Sequence, residues 1–310
     1  MAVDYDLIVI GGGSAGLVAA SAGAQLKAKV VLIEHEGKLG GDCLHYGCVP
    51  SKSLIHAARV AHTVNQGHRF GVHVGRPEIN LREALGHVHR VIDKIQEYDS
   101  VERFESLGVE VIFGEGQFSD ASTFVVNGRA LKARAFLIAT GSRPATLPIP
   151  GLQEAGYLTN LNVFQLQEQP RALAVIGAGP IGVELGQSFA RLGTDVTIIA
   201  SRDTILPKED PEAARVVQRQ LVAEGVRILT GSRAERVTVS NGKKQVWVGD
   251  EAITVDEILL SAGQVPNVEQ LNLQAAGVKV GKKGIEVNAK LQTSNPRIYA
   301  AGDVIGGYQF

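Results

Sequence analysis

The sequence contains one short pattern twice: an apolar run of strand length, a turn of the form G-x-G-x-x-G, a run of helix length and a second apolar run. The first copy has its turn at residues 11–16 and the second at residues 177–182. In such a unit the glycines let the backbone approach a pyrophosphate at the helix N-terminus. The repeat predicts an α/β fold with two doubly wound, Rossmann-like dinucleotide-binding domains.

Further apolar runs extend the same plan. Short strands separated by turn residues follow each copy, at residues 109–131 and around residues 245–248, and each set predicts a small antiparallel meander. A buried strand then ends in Thr140 and Gly141 in the first copy and in Ala262 and Gly263 in the second. Residues 81–107 have apolar positions at helical spacing and predict one long helix.

The two copies differ where the second strand ends. Glu34 and Ala200 stand the same number of residues after the last glycine of their turns. Glu34 can accept hydrogen bonds from a ribose hydroxyl pair, whereas Ala200 cannot. Ser201 and Arg202 come next and could bind a 2′-phosphate, which predicts NADPH rather than NADH at the second site. The alternative is that Arg202 is a solvated surface charge.

Both cysteines of the chain lie in one glycine-rich stretch, residues 40–52, that leads into a helix predicted from Ser51. Pro50 suits a first helical turn, because its missing N–H would have no partner there. The N–H dipoles at a helix N-terminus favour a thiolate, and Lys52 has the spacing to share a helix face with Cys48. The stretch is compatible with a redox pair, a structural disulfide or two buried thiols.

The cysteine stretch, G-G-D-C-L-H-Y-G-C-V-P-S-K, resembles the redox-active segment of the pyridine nucleotide–disulfide oxidoreductases. Asp42, His45 and Tyr46 depart from the usual threonine, asparagine and smaller residue of that segment. Near the end of the chain, I-Y-A-A-G-D-V resembles the second flavin motif of the same family, with Asp303 as its acid. With the two glycine turns, the resemblance covers essentially the whole chain.

The resemblance implies FAD in a domain of residues 1–145 and 268–310, and a nicotinamide cofactor in a domain of residues 146–267 inserted between them. It implies a redox disulfide between Cys43 and Cys48, in which Cys43 exchanges with substrate and Cys48 lies beside the flavin. Glu184 matches the acid that pairs with Lys52. The expected FAD contacts are Gly11, Gly13, Ser14, Gly16, Glu34, Gly41, Lys52, Thr140, Gly141 and Asp303. The expected nicotinamide-nucleotide contacts are Gly177, Gly179, Gly182, Ala200, Ser201, Arg202 and Gly263.

The implied function is an FAD-dependent oxidoreductase that passes hydride from NAD(P)H through FAD to the cysteine pair, and then to a disulfide, dithiol or metal-ion substrate. Relatives continue into a C-terminal domain that forms a homodimer and supplies a His–Glu pair. This sequence ends at Phe310 and has no histidine after His89, so we expect that domain and its dimer interface to be absent and disulfide turnover to be weak.

The alternative function is an NAD(P)H oxidase or diaphorase-like flavoprotein, or a non-catalytic flavin-binding module. Its basis is the same lack of a C-terminal histidine base. His45 is the histidine nearest the cysteines and could substitute for that base in part. The simpler interpretation is that His45 is a turn residue facing solvent.

Composition excludes several other classes of protein. The net charge is -1, so no basic excess indicates nucleic acid or an anionic membrane surface. No apolar run is long enough to span a bilayer, and the first residues lack the cationic start of a signal peptide. Two cysteines in one motif predict a reducing, cytoplasmic location. The family resemblance implies a small-molecule substrate. The histidines lack metal-ligand spacing, so no metal site is expected.

Overall fold

The computed structural model describes residues 3–75 and 77–307. Contacts between Cα atoms divide the chain into two compact units. The first unit contains residues up to 45, residues 92–143 and residues from 264 onward; the second contains residues 46–91 and 144–263. The domain limits predicted from the sequence follow the expected cofactors, and they stay a prediction.

The described residues form eighteen strands and eight α-helices. In chain order the strands are β1 (Tyr5–Ile10), β2 (Val30–Glu34), β3 (Val109–Phe113), β4 (Gly116–Asp120), β5 (Thr123–Val126), β6 (Arg129–Ile138), β7 (Ser142–Pro144), β8 (Ala172–Ile176), β9 (Asp195–Ile199), β10 (Arg227–Leu229), β11 (Arg236–Ser240), β12 (Lys243–Val248), β13 (Glu251–Val255), β14 (Glu257–Leu260), β15 (Gln264–Pro266), β16 (Val280–Gly281), β17 (Gly284–Ile285) and β18 (Ile298–Ala300). The helices are α1 (Ser14–Gln25), α2 (Gly41–His45), α3 (Cys48–Asn65), α4 (Leu81–Gln96), α5 (Val101–Ser106), α6 (Leu152–Ala155), α7 (Pro180–Arg191) and α8 (Pro211–Ala223).

The first unit is built on a seven-stranded sheet in the order β3-β2-β1-β6-β5-β4, with β18 also paired to β6. The strand β6 pairs with different strands along its two halves. Its first half pairs antiparallel with β5, and its second half runs parallel to β1 and β18. One long strand therefore belongs both to the parallel dinucleotide-type sheet and to the β4-β5-β6 meander.

The second unit repeats the plan on a smaller scale. Its parallel sheet has the order β10-β9-β8-β14, and β11, β12 and β13 form an antiparallel meander. The predicted fold class is confirmed: an α/β chain with two Rossmann-like units, each carrying a small meander.

Buried apolar strands explain why both parallel sheets form. All five residues of β2 are buried, because a parallel sheet covered on both faces exposes neither side of its strands. In the meander of the first unit, Phe118 packs edge-to-face on Phe124 and Phe136, with ring centroids 5.0 and 5.4 Å away. These aromatic contacts join the meander to the main sheet across β6.

Two sequence predictions about secondary structure are wrong. The helix expected over residues 81–107 is interrupted after α4, and α5 begins anew where the Ser100 hydroxyl accepts a hydrogen bond from the Arg103 N–H. The strand β3, expected in the meander, pairs parallel with β2 in the main sheet instead. Its partner is distant in sequence, so local pattern could not identify it.

Candidate active site

The first glycine turn joins β1 to α1 and has no room for side chains at its outer glycines. Gly11 has φ of +108°, and a Cβ there would lie 2.3 Å from the carbonyl oxygen of Ala139. A Cβ on Gly16 would lie 1.8 Å from the carbonyl oxygen of Gly11. Glycine is therefore required at both positions for this approach of helix to strand.

The middle glycine of that turn has room for a Cβ atom. Gly13 is the N-cap of α1 and makes no side-chain cap to the helix. A Cβ at Gly13 would meet nothing closer than the Cα of Gly41, at 3.7 Å. The first N–H groups of α1, beginning at exposed Ser14, can therefore receive an anion. This cradle fits the pyrophosphate of a dinucleotide.

Glu34 lies at the end of β2 and is buried. Its Oε2 accepts a 2.6 Å hydrogen bond from the Gly12 N–H, and its Oε1 accepts one of 2.8 Å from the Glu36 N–H and lies 2.8 Å from Nδ1 of His35. Burial acts to raise the pKa of Glu34, but these hydrogen bonds outweigh it and hold the pKa below its usual range. The ionised carboxylate thus anchors the glycine turn at the position expected for ribose binding.

Thr140, Gly141 and Asp303 lie in the same unit, in segments tied together by hydrogen bonds. The Thr140 hydroxyl donates to the Asn267 carbonyl oxygen over 2.7 Å, and the Asn267 amide donates to the Thr140 carbonyl oxygen over 2.9 Å. Ser142 donates to Oδ2 of Asp303 over 2.9 Å. Burial raises the pKa of Asp303, although the Ser142 bond opposes that effect.

The Asp303 segment lies beside the start of α1. A Cβ on Gly302, whose φ is +80°, would stand 3.3 Å from the Cβ of Ala15. The structure therefore brings together the first glycine turn and Asp303, as a single dinucleotide site requires. Contacts of these residues with FAD stay a prediction.

Each cysteine lies on a helix. Cys43 is half-buried in the short helix α2, and Cys48 is exposed as the first residue of α3. The sequence predicts that this helix begins at Ser51, but it begins three residues earlier, at Cys48. Cys48 itself therefore lies at the helix N-terminus. The disulfide between the two cysteines stays a prediction.

The expectation that His45 faces solvent is wrong. His45 ends α2 with 8% of its surface exposed, and its Nε2 lies 2.8 Å from the carbonyl oxygen of Leu39. The ring turns inward onto the Leu39 segment, and both Leu39 and the preceding residue, Leu44, are buried. Sequence alone gave no signal for this, because a histidine in a glycine-rich turn has no periodic neighbours to place it.

Lys52 and Glu184 form the predicted pair. The Lys52 Nζ lies 2.7 Å from Oε2 of Glu184, which joins α3 to α7 within the second unit. Their side chains are 61% and 39% exposed, so the pair contributes little to stability, about 0–1 kcal/mol. The ion pair instead restrains the ammonium group of Lys52 on α3, the helix that begins with Cys48.

The second glycine turn, between β8 and α7, repeats the geometry of the first. Gly177 has φ of +114°, and a Cβ on it would lie 2.4 Å from the carbonyl oxygen of Ser261. A Cβ on Gly182 would lie 2.2 Å from the Gly177 carbonyl oxygen, while one on Gly179 would meet nothing within 4 Å. Gly179 is the N-cap of α7 without a side-chain cap, so this turn also fits a pyrophosphate.

The strand ends next to this turn carry the residues predicted to select the nucleotide. Ala200 is buried directly after β9, whereas Ser201 and Arg202 are exposed. The loop after β10 lies against them, because Ser232 N–H donates to the Ala200 carbonyl oxygen over 2.9 Å. Gly263, with φ of +119°, follows β14 in the same unit, with open space where its Cβ would be.

Sequence reasoning missed three residues that shape the first unit: Ser142, Arg143 and Glu269. Arg143 forks onto the Glu269 carboxylate with a 2.8 Å contact, and Arg143 is the first cause that lowers the pKa of Glu269, to about 2. Arg143 also donates to Oδ1 of Asn267 over 3.1 Å. The sequence offered one signal for these residues: Ser142 and Arg143 directly follow the predicted site residues Thr140 and Gly141.

No three His, Cys, Asp or Glu side chains among residues 3–75 and 77–307 are grouped so that they could hold a metal ion. Within the same ranges, no helix has the length and apolar character needed to cross a membrane.

Comparisons with known proteins place these features in a family. Residues 5–310 match the family model described as pyridine nucleotide-disulphide oxidoreductase. The chain is 38% identical to a mercuric reductase from Lysinibacillus sphaericus over 312 residues, covering 99% of this chain and 57% of that relative. It is also 38% identical to a dihydrolipoyl dehydrogenase from Thermus scotoductus over 313 residues, covering 97% of this chain and 66% of the relative.

Solved structures agree with the sequence relatives. The HOCl-induced flavoprotein disulfide reductase RclA from Escherichia coli superposes with a TM-score of 0.87 at 29% identity, over 99% of this chain and 67% of that one. Its Cu(II) complex superposes with the same TM-score at 28% identity. The chain spans little more than half the length of the mercuric reductase.

Proposed function

The chain belongs to the pyridine nucleotide-disulphide oxidoreductase family, and from this premise we propose that it uses NAD(P)H, through FAD, to reduce a disulfide between Cys43 and Cys48. The observation that carries the proposal is the placement of the two cysteines. Cys43 follows the loop that packs on the first glycine turn, and Cys48 begins α3. Bound FAD would supply hydride acceptance from the nicotinamide and transfer of two electrons to the disulfide.

The residues around Cys48 suit a thiolate product. Two electrons break the S–S bond and leave two sulfur atoms, of which one takes a proton and the other stays ionised. Cys48 lies at the N-terminus of an eighteen-residue helix, where backbone N–H groups favour an anion. Lys52, one helical turn later, adds a positive charge whose position Glu184 restrains.

We infer that the reduced cysteine pair acts on a disulfide, a dithiol or a soft metal ion. The relatives support this range: one is named for mercuric ion, another for a dihydrolipoyl group, and a third is a disulfide reductase solved with Cu(II). Thiolates are strong ligands for soft metals and the reactive species in disulfide exchange. The confinement of both cysteines to this motif supports a reducing, cytoplasmic setting.

An anaerobic titration of the FAD-loaded protein with NADPH tests the proposal. If flavin and disulfide both accept electrons, the protein consumes two equivalents of NADPH per FAD and gains two titratable thiols. Uptake of one equivalent with no new thiol would instead support an oxidase or diaphorase-like flavoprotein. Failure of the protein to retain FAD would overturn the proposal altogether.

We further propose that NADPH is preferred over NADH. The end of β9 presents buried Ala200, which offers no carboxylate to a 2′-hydroxyl and no charge against a 2′-phosphate. Exposed Arg202 follows it, and exposed Arg233 lies on the neighbouring loop, next to the Ser232 N–H that bonds to Ala200. Two arginines therefore lie in the loops at this strand end, and arginine is well suited to phosphate recognition.

Replacing Ala200 by glutamate together with Arg202 by alanine should reverse this preference. Removing a charge-assisted phosphate contact costs roughly one to two orders of magnitude in binding, and the new carboxylate repels the 2′-phosphate. We expect the ratio of kcat/KM for NADPH over NADH to fall about 100-fold or more, measured by flavin-dependent dye reduction. Arg236→Ala, whose guanidinium stacks 4.0 Å over Trp247, is the matched control and should leave the ratio unchanged. A wild type that already prefers NADH would contradict the assignment.

A further inference from the structure

His45 closes a loop that contains two predicted site residues, Gly41 and Cys43. Its imidazole Nε2 lies 2.8 Å from the carbonyl oxygen of Leu39, and both residues are buried. A carbonyl oxygen can only accept, so Nε2 carries the proton in this contact. The bond spans six residues and encloses Gly40, Gly41 and Cys43.

The enclosed loop packs on the first glycine turn. Gly40 N–H donates to the Gly12 carbonyl oxygen over 2.9 Å, and Gly40 forms a parallel bridge with Gly13. A Cβ on Gly41 would lie 2.6 Å from the Cα of Gly13, so the two backbones are in direct contact. Gly13 is also the N-cap of α1, where a pyrophosphate would lie.

The loop is held in a backbone conformation that needs outside support. Gly40 has φ of +114° and Gly41 has φ of +57°, both in the left-handed region. Glycine loses more conformational freedom on folding than any other residue, so two in succession make this segment costly to order. A Cβ on Gly40 would stand 3.1 Å from Nε2 of His45, which shows how closely the ring covers the loop.

We propose that His45 is a positioning residue, whose Nε2–H···O bond to Leu39 holds the Gly40 and Gly41 loop on Gly13 and so fixes Cys43 relative to the pyrophosphate cradle. The inference rests on the proposed function, since it concerns the FAD site and the redox cysteine. It assigns to His45 a role as a neutral hydrogen-bond donor, distinct from that of a proton carrier for the thiols.

The surroundings of His45 support a neutral ring. Burial is the first cause that lowers the pKa of His45, and the bond to Leu39 opposes it only in part. The charged groups that act on it are Lys38, which lowers the pKa further, and Glu36 and Asp99, which raise it. With the pKa below its usual range, the ring is neutral at physiological pH and donates through Nε2.

Two substitutions at His45 separate positioning from proton transfer. His45→Leu removes the donor and leaves the buried Leu39 carbonyl without it, so we expect FAD binding to weaken roughly tenfold or more. His45→Asn keeps an amide donor and should restore FAD affinity to within about threefold of wild type. His56→Leu, on the exposed surface of α3, is the matched control and should behave as wild type.

The measurements are the FAD dissociation constant by flavin fluorescence and the rate at which NADPH generates thiols, from pH 5.5 to 8. Rescue by asparagine with an unchanged pH profile supports positioning. An asparagine variant that binds FAD normally but forms or exchanges thiols on the order of 10²-fold more slowly would show that His45 is a base instead. A leucine variant equal to wild type in both measurements would also overturn the inference. If wild type itself binds no FAD, the proposed function fails first.

Discussion

A Gly16→Ala variant is expected to lose FAD, and a Gly182→Ala variant is expected to keep FAD while losing its reduction by NADPH. In each case the new Cβ would collide with the backbone oxygen of the first glycine of the same turn, at 1.8 Å for Gly16 and 2.2 Å for Gly182. Backbone atoms cannot yield as a flexible side chain can, so the helix must shift away from its strand. Overpacking of this kind costs about 1–3 kcal/mol or more of stability. A loss of the same size in the pyrophosphate contacts of the displaced turn would correspond to roughly ten- to hundredfold in affinity.

The two variants test the assignment of a different cofactor to each turn. FAD retention is measured by absorbance after gel filtration, and NADPH reduction by stopped-flow bleaching of the flavin. Gly37→Ala is the control, because a Cβ there would meet nothing within 4 Å. Thermal unfolding of the apoproteins shows whether a variant is folded. Loss of FAD from a folded Gly182→Ala protein, or normal FAD in Gly16→Ala, would mean that the cofactors are assigned to the wrong turns.

The Gly179→Ala variant adds a finer test. A Cβ at this position would meet nothing within 4 Å, and its φ of -76° is open to any residue. The fold should therefore tolerate alanine, while the added methyl group occupies space in which a pyrophosphate would lie. Weaker NADPH binding without a change in unfolding temperature would locate the nucleotide at the N-terminus of α7.

The parts of the fold that the sequence predicted are those governed by local sterics. The close contact of Gly16 with the Gly11 carbonyl oxygen arises within one strand–turn–helix unit, so the glycine pattern was sufficient to predict it. The Lys52 and Glu184 contact joins residues far apart in the chain. It was predicted only because both positions match a family pattern, which carries long-range information that composition and periodicity lack.

The features that sequence reasoning missed depend on partners distant in the chain. The strand β3 has the length and alternation of a meander strand, yet it pairs with β2 because that sheet edge is available in the folded unit. Nothing in the local sequence marks Ser142, because its hydrogen-bond partner Asp303, 2.9 Å from its hydroxyl, lies far along the chain. His45 likewise lies inward only because Leu39 presents a buried carbonyl oxygen to it.

Replacing Cys48 by serine should abolish coupling between NADPH oxidation and thiol formation. A serine oxygen cannot form the disulfide, so the flavin alone accepts electrons and uptake falls from two equivalents of NADPH per FAD to one. We expect no new titratable thiols and a fall in disulfide turnover of at least about 10³-fold, comparable to loss of a covalent nucleophile. The control is Ser51→Ala, on the same helical turn, which removes a hydroxyl that lies 3.3 Å from the Cys48 carbonyl oxygen. This variant should retain the formation of new thiols and the disulfide turnover.

Comparing Cys48→Ser with Cys43→Ser then shows which sulfur lies beside the flavin. Both variants lose the disulfide, so their electron uptake should be the same. In Cys43→Ser the remaining thiol is that of Cys48, which the N-terminus of α3 and Lys52 favour as a thiolate. A thiolate next to an oxidised flavin absorbs at long wavelength, so the Cys43→Ser protein should show such a band before any reductant is added, and Cys48→Ser should not. The reverse pattern would exchange the roles of the two cysteines, and a band in neither variant would mean that the pair is not in contact with the flavin.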